Sequence, residues 1–341
     1  MDKNIAEALA LILAAATMNA TYTLPMRIQR HWRWEHSWCA FSVLGIAVVP
    51  TIITIASVPQ LWSIYSATPA ATLIAMALFG FGWGVSQVFF GLSLPLVGVA
   101  LAFTVSLSTS AASGALLPLL LQHPERLHTS QGALVLASIL FISVGVFFCG
   151  RAGMQRERIA GKVEGRTEGG FVRGFIYSVL SGVLGSLLNL GLAYGGTIQE
   201  AAHSRGASSV MMSNAVWLPC VLAGFIPGVI YSLYVMKTHN AVGEFVVNSR
   251  WYYWPAAMLM GALWYGSILV YAFATIRLGD IGASIGWPIF LAAIVVASNI
   301  VGTLTGEWKL SFSGPFRTLS LGLIFLLLAI LILGKAGTMQ T

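Results

Sequence analysis

Charge is what this chain has least of. Only 9% of its 341 residues are Asp, Glu, Lys or Arg, where a soluble globular domain carries about 25%. That deficit excludes an ordinary water-facing surface. No such residue occurs between Glu35 and Glu125, a stretch of 89 residues, whereas about 20 apolar residues suffice to cross a bilayer, so several crossings must fit inside it. Cysteine is scarce too. Cys39, Cys149 and Cys220 each sit in an apolar run with no CxxC or Cys/His spacing, which excludes a zinc or disulfide framework and reads as three small buried hydrophobes. The catalytic signatures HExxH and GxxxxGK[ST] are absent, as are paired aspartates, so neither a metalloprotease nor an ATP-driven pump is supported, and no metal or cofactor is expected. Gly282-Ala283-Ser284-Ile285-Gly286 spells G-x-S-x-G, but it lies in an apolar run rather than on a strand-to-helix elbow and reads as packing. The formal charge is +7. Its 18 basic residues are scattered over loops without a basic helix or an aromatic-interleaved patch, so nucleic acid is not an expected partner.

What is present is apolar length: 57% hydrophobic residues and a mean hydropathy of +0.83. Broken at charge clusters, Pro and Gly, the chain predicts an all-α polytopic membrane protein whose outer surface meets lipid. The ten helices run over about 4–24, 38–58, 71–91, 95–121, 131–150, 171–196, 207–236, 254–276, 280–305 and 316–334. The runs are continuously apolar, whereas barrel strands would alternate. Glu7 interrupts the leader-like look of the first twenty residues, and that segment is counted as a span. Loops after odd-numbered helices hold 13 Lys and Arg, six of them in the 151–173 loop, against five on the other side. The positive-inside rule therefore places that loop in the cytoplasm and both termini outside.

An internal repeat is visible. Gly150-Arg151-Ala152-Gly153 matches Gly334-Lys335-Ala336-Gly337 at an offset of 184, and Gly80, Trp83, Ser86 and Gly98 match Gly261, Trp264, Ser267 and Gly279 at an offset of 181. Residues 1–150 and 171–341 then form two five-helix repeats joined by a charged loop at 151–170. Five is odd, so the second repeat is inverted relative to the first, the arrangement that rocks about a midplane site in secondary transporters.

Polar and aromatic residues inside spans are the candidate site. Of eleven Trp residues, Trp32, Trp34, Trp38, Trp62, Trp251, Trp254 and Trp308 fall at span ends and read as interfacial anchors. Trp83, Trp217, Trp264 and Trp287 fall inside. Trp83 and Gln87 share one helix face, as do Trp264, Ser267 and Tyr271. A flat indole beside amide and hydroxyl groups suits the apolar face and hydroxyl rim of a sugar. Asn19, Tyr22, Asn189 and Asn214 with Trp217 complete the wall. Each of these polar residues has a competing role as helix-to-helix glue, and that role is the expected one for Asn299 and the Ser/Thr run from Thr104 to Ser113. Pro95, Pro118, Pro219, Pro227 and Pro288 interrupt helical hydrogen bonding, Pro288 most suggestively beside Trp287. Asp280, Glu200 with His203, and Glu7 are the few carboxylates near spans that could couple transport to a proton. Asp280 can also serve as an N-cap beside Arg277, and Glu200 as a solvated loop residue.

The chain resembles the L-rhamnose–proton symporter family of the drug/metabolite transporter superfamily. The resemblance is carried by Tyr22-Thr23-Leu24-Pro25, the segment Trp32-Arg33-Trp34-Glu35-His36-Ser37-Trp38, Trp83-Gly84 with Gln87 and Gly91, and Arg151-Ala152-Gly153 with Arg156-Glu157-Arg158. In the second half it is carried by Glu200-Ala201-Ala202, Trp264-Tyr265 with Tyr271, Arg277 with Trp287, and Glu307-Trp308. It covers nearly the whole chain in order. It implies a bacterial inner-membrane carrier that takes up a deoxysugar with a proton, and it adds Tyr265 to the sugar-binding candidates. The family places an acidic residue inside the start of helix nine, where this chain has Ala283 with Asp280 just before it. A drug/metabolite-type exporter, a facilitator of another small solute and a non-transporting receptor are the alternatives that the residues leave open.

Overall fold

The computed structural model describes residues 3–159, 168–279, 282–304 and 314–339. Among them, ten helices are long and apolar enough to cross a membrane. They are α1 (Lys3–Thr21), α2 (Trp34–Ser57), α3 (Ala70–Val97), α4 (Val99–Gln122), α5 (Ser130–Ile159), α6 (Glu168–Gly185 continued as Leu187–Tyr194), α7 (Asn214–Thr238), α8 (Tyr253–Arg277), α9 (Gly282–Leu304) and α10 (Gly314–Thr338). The chain is a multi-pass, all-helical membrane protein. A helix hydrogen-bonds its own backbone, which is why continuous apolar runs take this form in lipid.

The sequence expectation for the seventh helix needs correction. It begins at Asn214 rather than at 207, because a separate helix, Gly196–Ser204, and a turn through Gly206 at φ 97° occupy the preceding segment. The sixth is interrupted at Ser186, and the second carries a π-helical centre, Phe41–Val48. Pro288 does not break α9.

Close packing is set by glycine. A Cβ on Gly80 would lie 1.8 Å from the Cys220 carbonyl oxygen in α7, and one on Gly261 would lie 2.1 Å from the Gly45 Cα in α2. Only hydrogen side chains admit those crossings. The main helix contacts are kept when each of the first five helices is exchanged with its counterpart in the last five. Helix α3 packs on α6 and α7 as α8 packs on α1 and α2; α4 packs on α5 and α6 as α9 packs on α10 and α1; α4 meets α9, and α5 meets α10. Backbone turns follow the same rule. Gln60 and Asn240, 180 positions apart, adopt φ of 54° and 53°, and Gly98 and Gly279, 181 apart, adopt 85° and 78°. All four hold the positive φ that L side chains rarely adopt and that chain reversals use.

Candidate functional site

Two groups of helices, α3, α4 and α6 on one side and α1, α8 and α9 on the other, leave a chamber of about 640 Å³ between them. That volume lies within the roughly 300–1,000 Å³ typical of small-molecule sites. Its lining runs from mid-bundle toward the C-terminal ends of α1, α3, α5, α7 and α9 and the N-terminal ends of α2 and α4. These ends share one face of the bundle, the face that carries most of the basic loop residues. Arg156 is the one charged residue among the described lining, and it stands near that mouth.

At the closed end the indoles of Trp83 and Trp264 stack, with centroids 5.1 Å apart and planes 22° from parallel. The repeat-matched tryptophans thus meet face to face. Trp287 donates Nε1–H to the Ser110 carbonyl at 3.1 Å and lies 3.3 Å from the Ser110 hydroxyl, which joins α9 to α4. Gln87 donates to the Ser86 hydroxyl at 3.1 Å, and Ser86 to the Trp83 carbonyl at 2.6 Å. Asn19 donates to the Ser267 hydroxyl at 3.0 Å. The Gln87 and Asn19 carbonyl oxygens, the Tyr22 hydroxyl and the Ser181 hydroxyl have no protein partner among the described residues and line the chamber. Indole surface beside unspent amide and hydroxyl groups, with no carboxylate or histidine in the described lining, can hold a neutral polyol and offers no negative charge to pair with a cation.

Of the sequence-derived site residues, Trp83, Gln87, Trp264, Trp287, Asn19 and Tyr22 line this chamber. Ser267, Tyr265, Tyr271, Asn189, Asn214 and Trp217 are fully buried outside its lining. Their polar atoms are largely spent on one another. Tyr271 donates to Asn189 Oδ1 at 2.5 Å, and the Asn189 amide donates to the carbonyls of Gly114 at 2.9 Å and Ala283 at 3.1 Å. Pro118 has no N–H for the Gly114 carbonyl, so Asn189 supplies the missing donor. Tyr265 donates to Asn214 Oδ1 at 2.7 Å and stands 3.4 Å from Thr54, while Asn214 donates to Ser57 at 2.8 Å. Tyr65 does for Pro219 what Asn189 does for Pro118, donating to the Ala215 carbonyl at 2.9 Å. Burial pushes the Tyr65 pKa well above its ordinary value, so the hydroxyl remains a donor.

These two networks fill the half of the bundle opposite the mouth, together with the Arg277–Glu7 ion pair, in which the Arg277 guanidinium lies 4.6 Å from the Phe273 ring centre. Glu200 is exposed on the Gly196–Ser204 helix, away from the chamber. Asp280 and Trp308 lie outside the described residues.

Sequence reasoning missed part of the wall. Trp34 and Trp38, read as anchors, line the mouth. Thr104 and Ser106, read as glue, do join helices, donating to the Val146 carbonyl at 3.4 Å and the Ser178 carbonyl at 2.9 Å, but with Ser110 and Asn299 they also line the chamber. Trp32 is buried, its ring 5.1 Å from Phe245 and 5.1 Å from Tyr253. Helical spacing locates a face but not what lies opposite it, so no local signal showed that these residues also border a chamber.

The profile of a family described as L-rhamnose-proton symport protein (RhaT) matches residues 1–339. An L-rhamnose-proton symporter of Cronobacter sakazakii is 25% identical over 334 residues, covering 94% of this chain and 95% of the relative. One from Yersinia pestis is 24% identical over 329 residues, with the same coverage. A solved structure titled only as a crystal structure of a protein superposes with a TM-score of 0.60 at 16% identity, covering 96% of each chain, which speaks to the fold alone.

Proposed function

This chain belongs to the L-rhamnose-proton symport protein family, and from that premise we propose that it is a secondary carrier taking up L-rhamnose or a closely related neutral deoxysugar together with a proton. The observation that carries the reading is the chamber itself: a nearly uncharged space of about 640 Å³ walled by Trp83, Trp264 and Trp287, with unspent polar atoms on Gln87, Asn19 and Tyr22. The repeated packing scheme, the paired turns at Gln60/Asn240 and Gly98/Gly279, and the odd number of helices per half support two inverted five-helix repeats, 1–150 and 171–341, joined by the 151–170 loop. Such halves alternate access by rocking. The bacterial relatives favour an inner membrane, and the basic loops favour both termini outside and the mouth toward the cytoplasm. This conformation is then the inward-facing one, with the Asn189–Tyr271 and Asn214–Tyr265 networks closing the outer half.

The coupling group is not in the described lining, which holds no carboxylate or histidine. Asp280 is our first candidate for the proton carrier, because it precedes α9 next to the position where the family places its acid, and Glu200 is the second. The same observation favours a facilitator as the alternative reading. Uptake of labelled L-rhamnose into proteoliposomes, with and without an inward proton gradient, tests both. Accumulation only with the gradient is the expected result; uptake indifferent to it removes symport, and no uptake of any sugar removes the carrier.

A further inference from the structure

We propose that Gly185 sets the size of sugar the chamber accepts, by leaving empty the space that any other residue would fill at its closed end. The proposal rests on the carrier reading above and names the part of that site which measures its substrate. Gly185 ends the first segment of α6, just before the interruption at Ser186, and lines the chamber. A Cβ built on it would stand 3.6 Å from the Ser110 hydroxyl oxygen and 3.6 Å from the Ser86 hydroxyl oxygen, ordinary contact distances, with nothing else within 4 Å. Those serines are the ones that receive Trp287 and Gln87. The missing side chain therefore faces the polar floor between the three tryptophans.

Glycine usually has one of two reasons to occupy a helix. The first is a backbone that only it adopts, but Gly185 is not among the residues of positive φ. The second is a helix crossing too close for a methyl group. That reason holds for Gly182, one turn earlier, whose Cβ would lie 2.5 Å from the Ser106 carbonyl oxygen, and for Gly114, where it would lie 2.1 Å from the Trp287 ring. It does not hold for Gly185. Glycine also costs helix stability relative to alanine, and neither a positive φ nor a close crossing requires it at this position. What it supplies is room beside two hydroxyls, where the bulk of a ring substituent is accepted or refused. A hydrophobic methyl-sized difference in such a pocket discriminates by roughly 10–200-fold.

The test is Gly185→Ala and Gly185→Ser in the full-length purified protein, with calorimetric affinities for L-rhamnose and for L-lyxose, the pentose with the same ring hydroxyls and no C6 methyl group, and with melting temperatures. The expected result is a melting temperature equal to or above the parent's, together with a loss of L-rhamnose affinity of about 10-fold or more that exceeds the loss for L-lyxose. An unchanged ratio of the two affinities in both variants overturns the proposal, because a merely structural effect weakens both sugars alike. A lower melting temperature in both variants overturns it as well, since packing would then require the glycine. A parent that binds neither sugar overturns the carrier reading and this inference together, whereas a parent that binds L-rhamnose beside indifferent variants leaves the carrier reading standing.

Discussion

The amide of Gln87 shows how single residues divide between holding the bundle and facing the substrate. Its nitrogen is held by the neighbouring Ser86, while its carbonyl oxygen has no protein partner and borders the chamber. Removing it should cost little stability, since no contact to another helix depends on that hydrogen bond. Gln87→Ala is expected to keep the parent's melting temperature and to lower L-rhamnose affinity by about 5–10-fold, the worth of roughly one hydrogen bond; a thermal scan reads the first and titration calorimetry the second, and unchanged affinity removes Gln87 from the site. Asn19 presents the same division, nitrogen to Ser267 and oxygen to the chamber. Asn189 and Asn214 do not, because each spends both ends of its amide on protein. All four side-chain amides, Gln87 and the three asparagines, look alike in sequence, as polar residues in apolar runs. Their difference lies in which helix stands opposite, and that is a property of packing rather than of local pattern.

Among the elements, α6 carries the decisive contacts. Through Asn189 it reaches the carbonyl that Pro118 leaves open in α4, the hydroxyl of Tyr271 in α8 and the first turn of α9. One side chain thus ties both helix groups together on the side opposite the mouth. Asn189→Ala would leave buried polar groups unpaired, each costing about 1–3 kcal/mol. It is therefore expected to lower the melting temperature and to make a cysteine placed at Ala283 react faster with a thiol reagent applied from the face opposite the mouth. No change in that reactivity would separate the network from the gate. Ten spans were legible from apolar length, whereas Pro95, Pro118, Pro219, Pro227 and Pro288, expected to interrupt, lie inside continuous helices. The start of α7, the extra helix at Gly196–Ser204 and the π-helical centre of α2 were not legible, because each depends on tertiary neighbours rather than on composition.

At the scale of the whole molecule, the chamber opens to one face and is filled on the other. Cys149 lines it, whereas Cys39 and Cys220 are buried away from it. A membrane-impermeant maleimide is expected to label Cys149 from the mouth side only, in vesicles of known orientation, and L-rhamnose is expected to slow the reaction. Labelling from the opposite side in the absence of sugar would contradict the inward-facing reading. The sequence by itself determined that this is a ten-span helical membrane protein, because scarcity of charge and continuous apolar runs follow from the low dielectric of lipid and need no knowledge of neighbours. In it Trp83 and Trp264, and Gly98 and Gly279, recur at one spacing, the pattern behind the repeat that we propose. Only the tertiary structure decided which polar residues face the chamber and which lock helices together. Helical periodicity fixes a direction around each axis, and what a side chain meets in that direction is set by how ten helices cross.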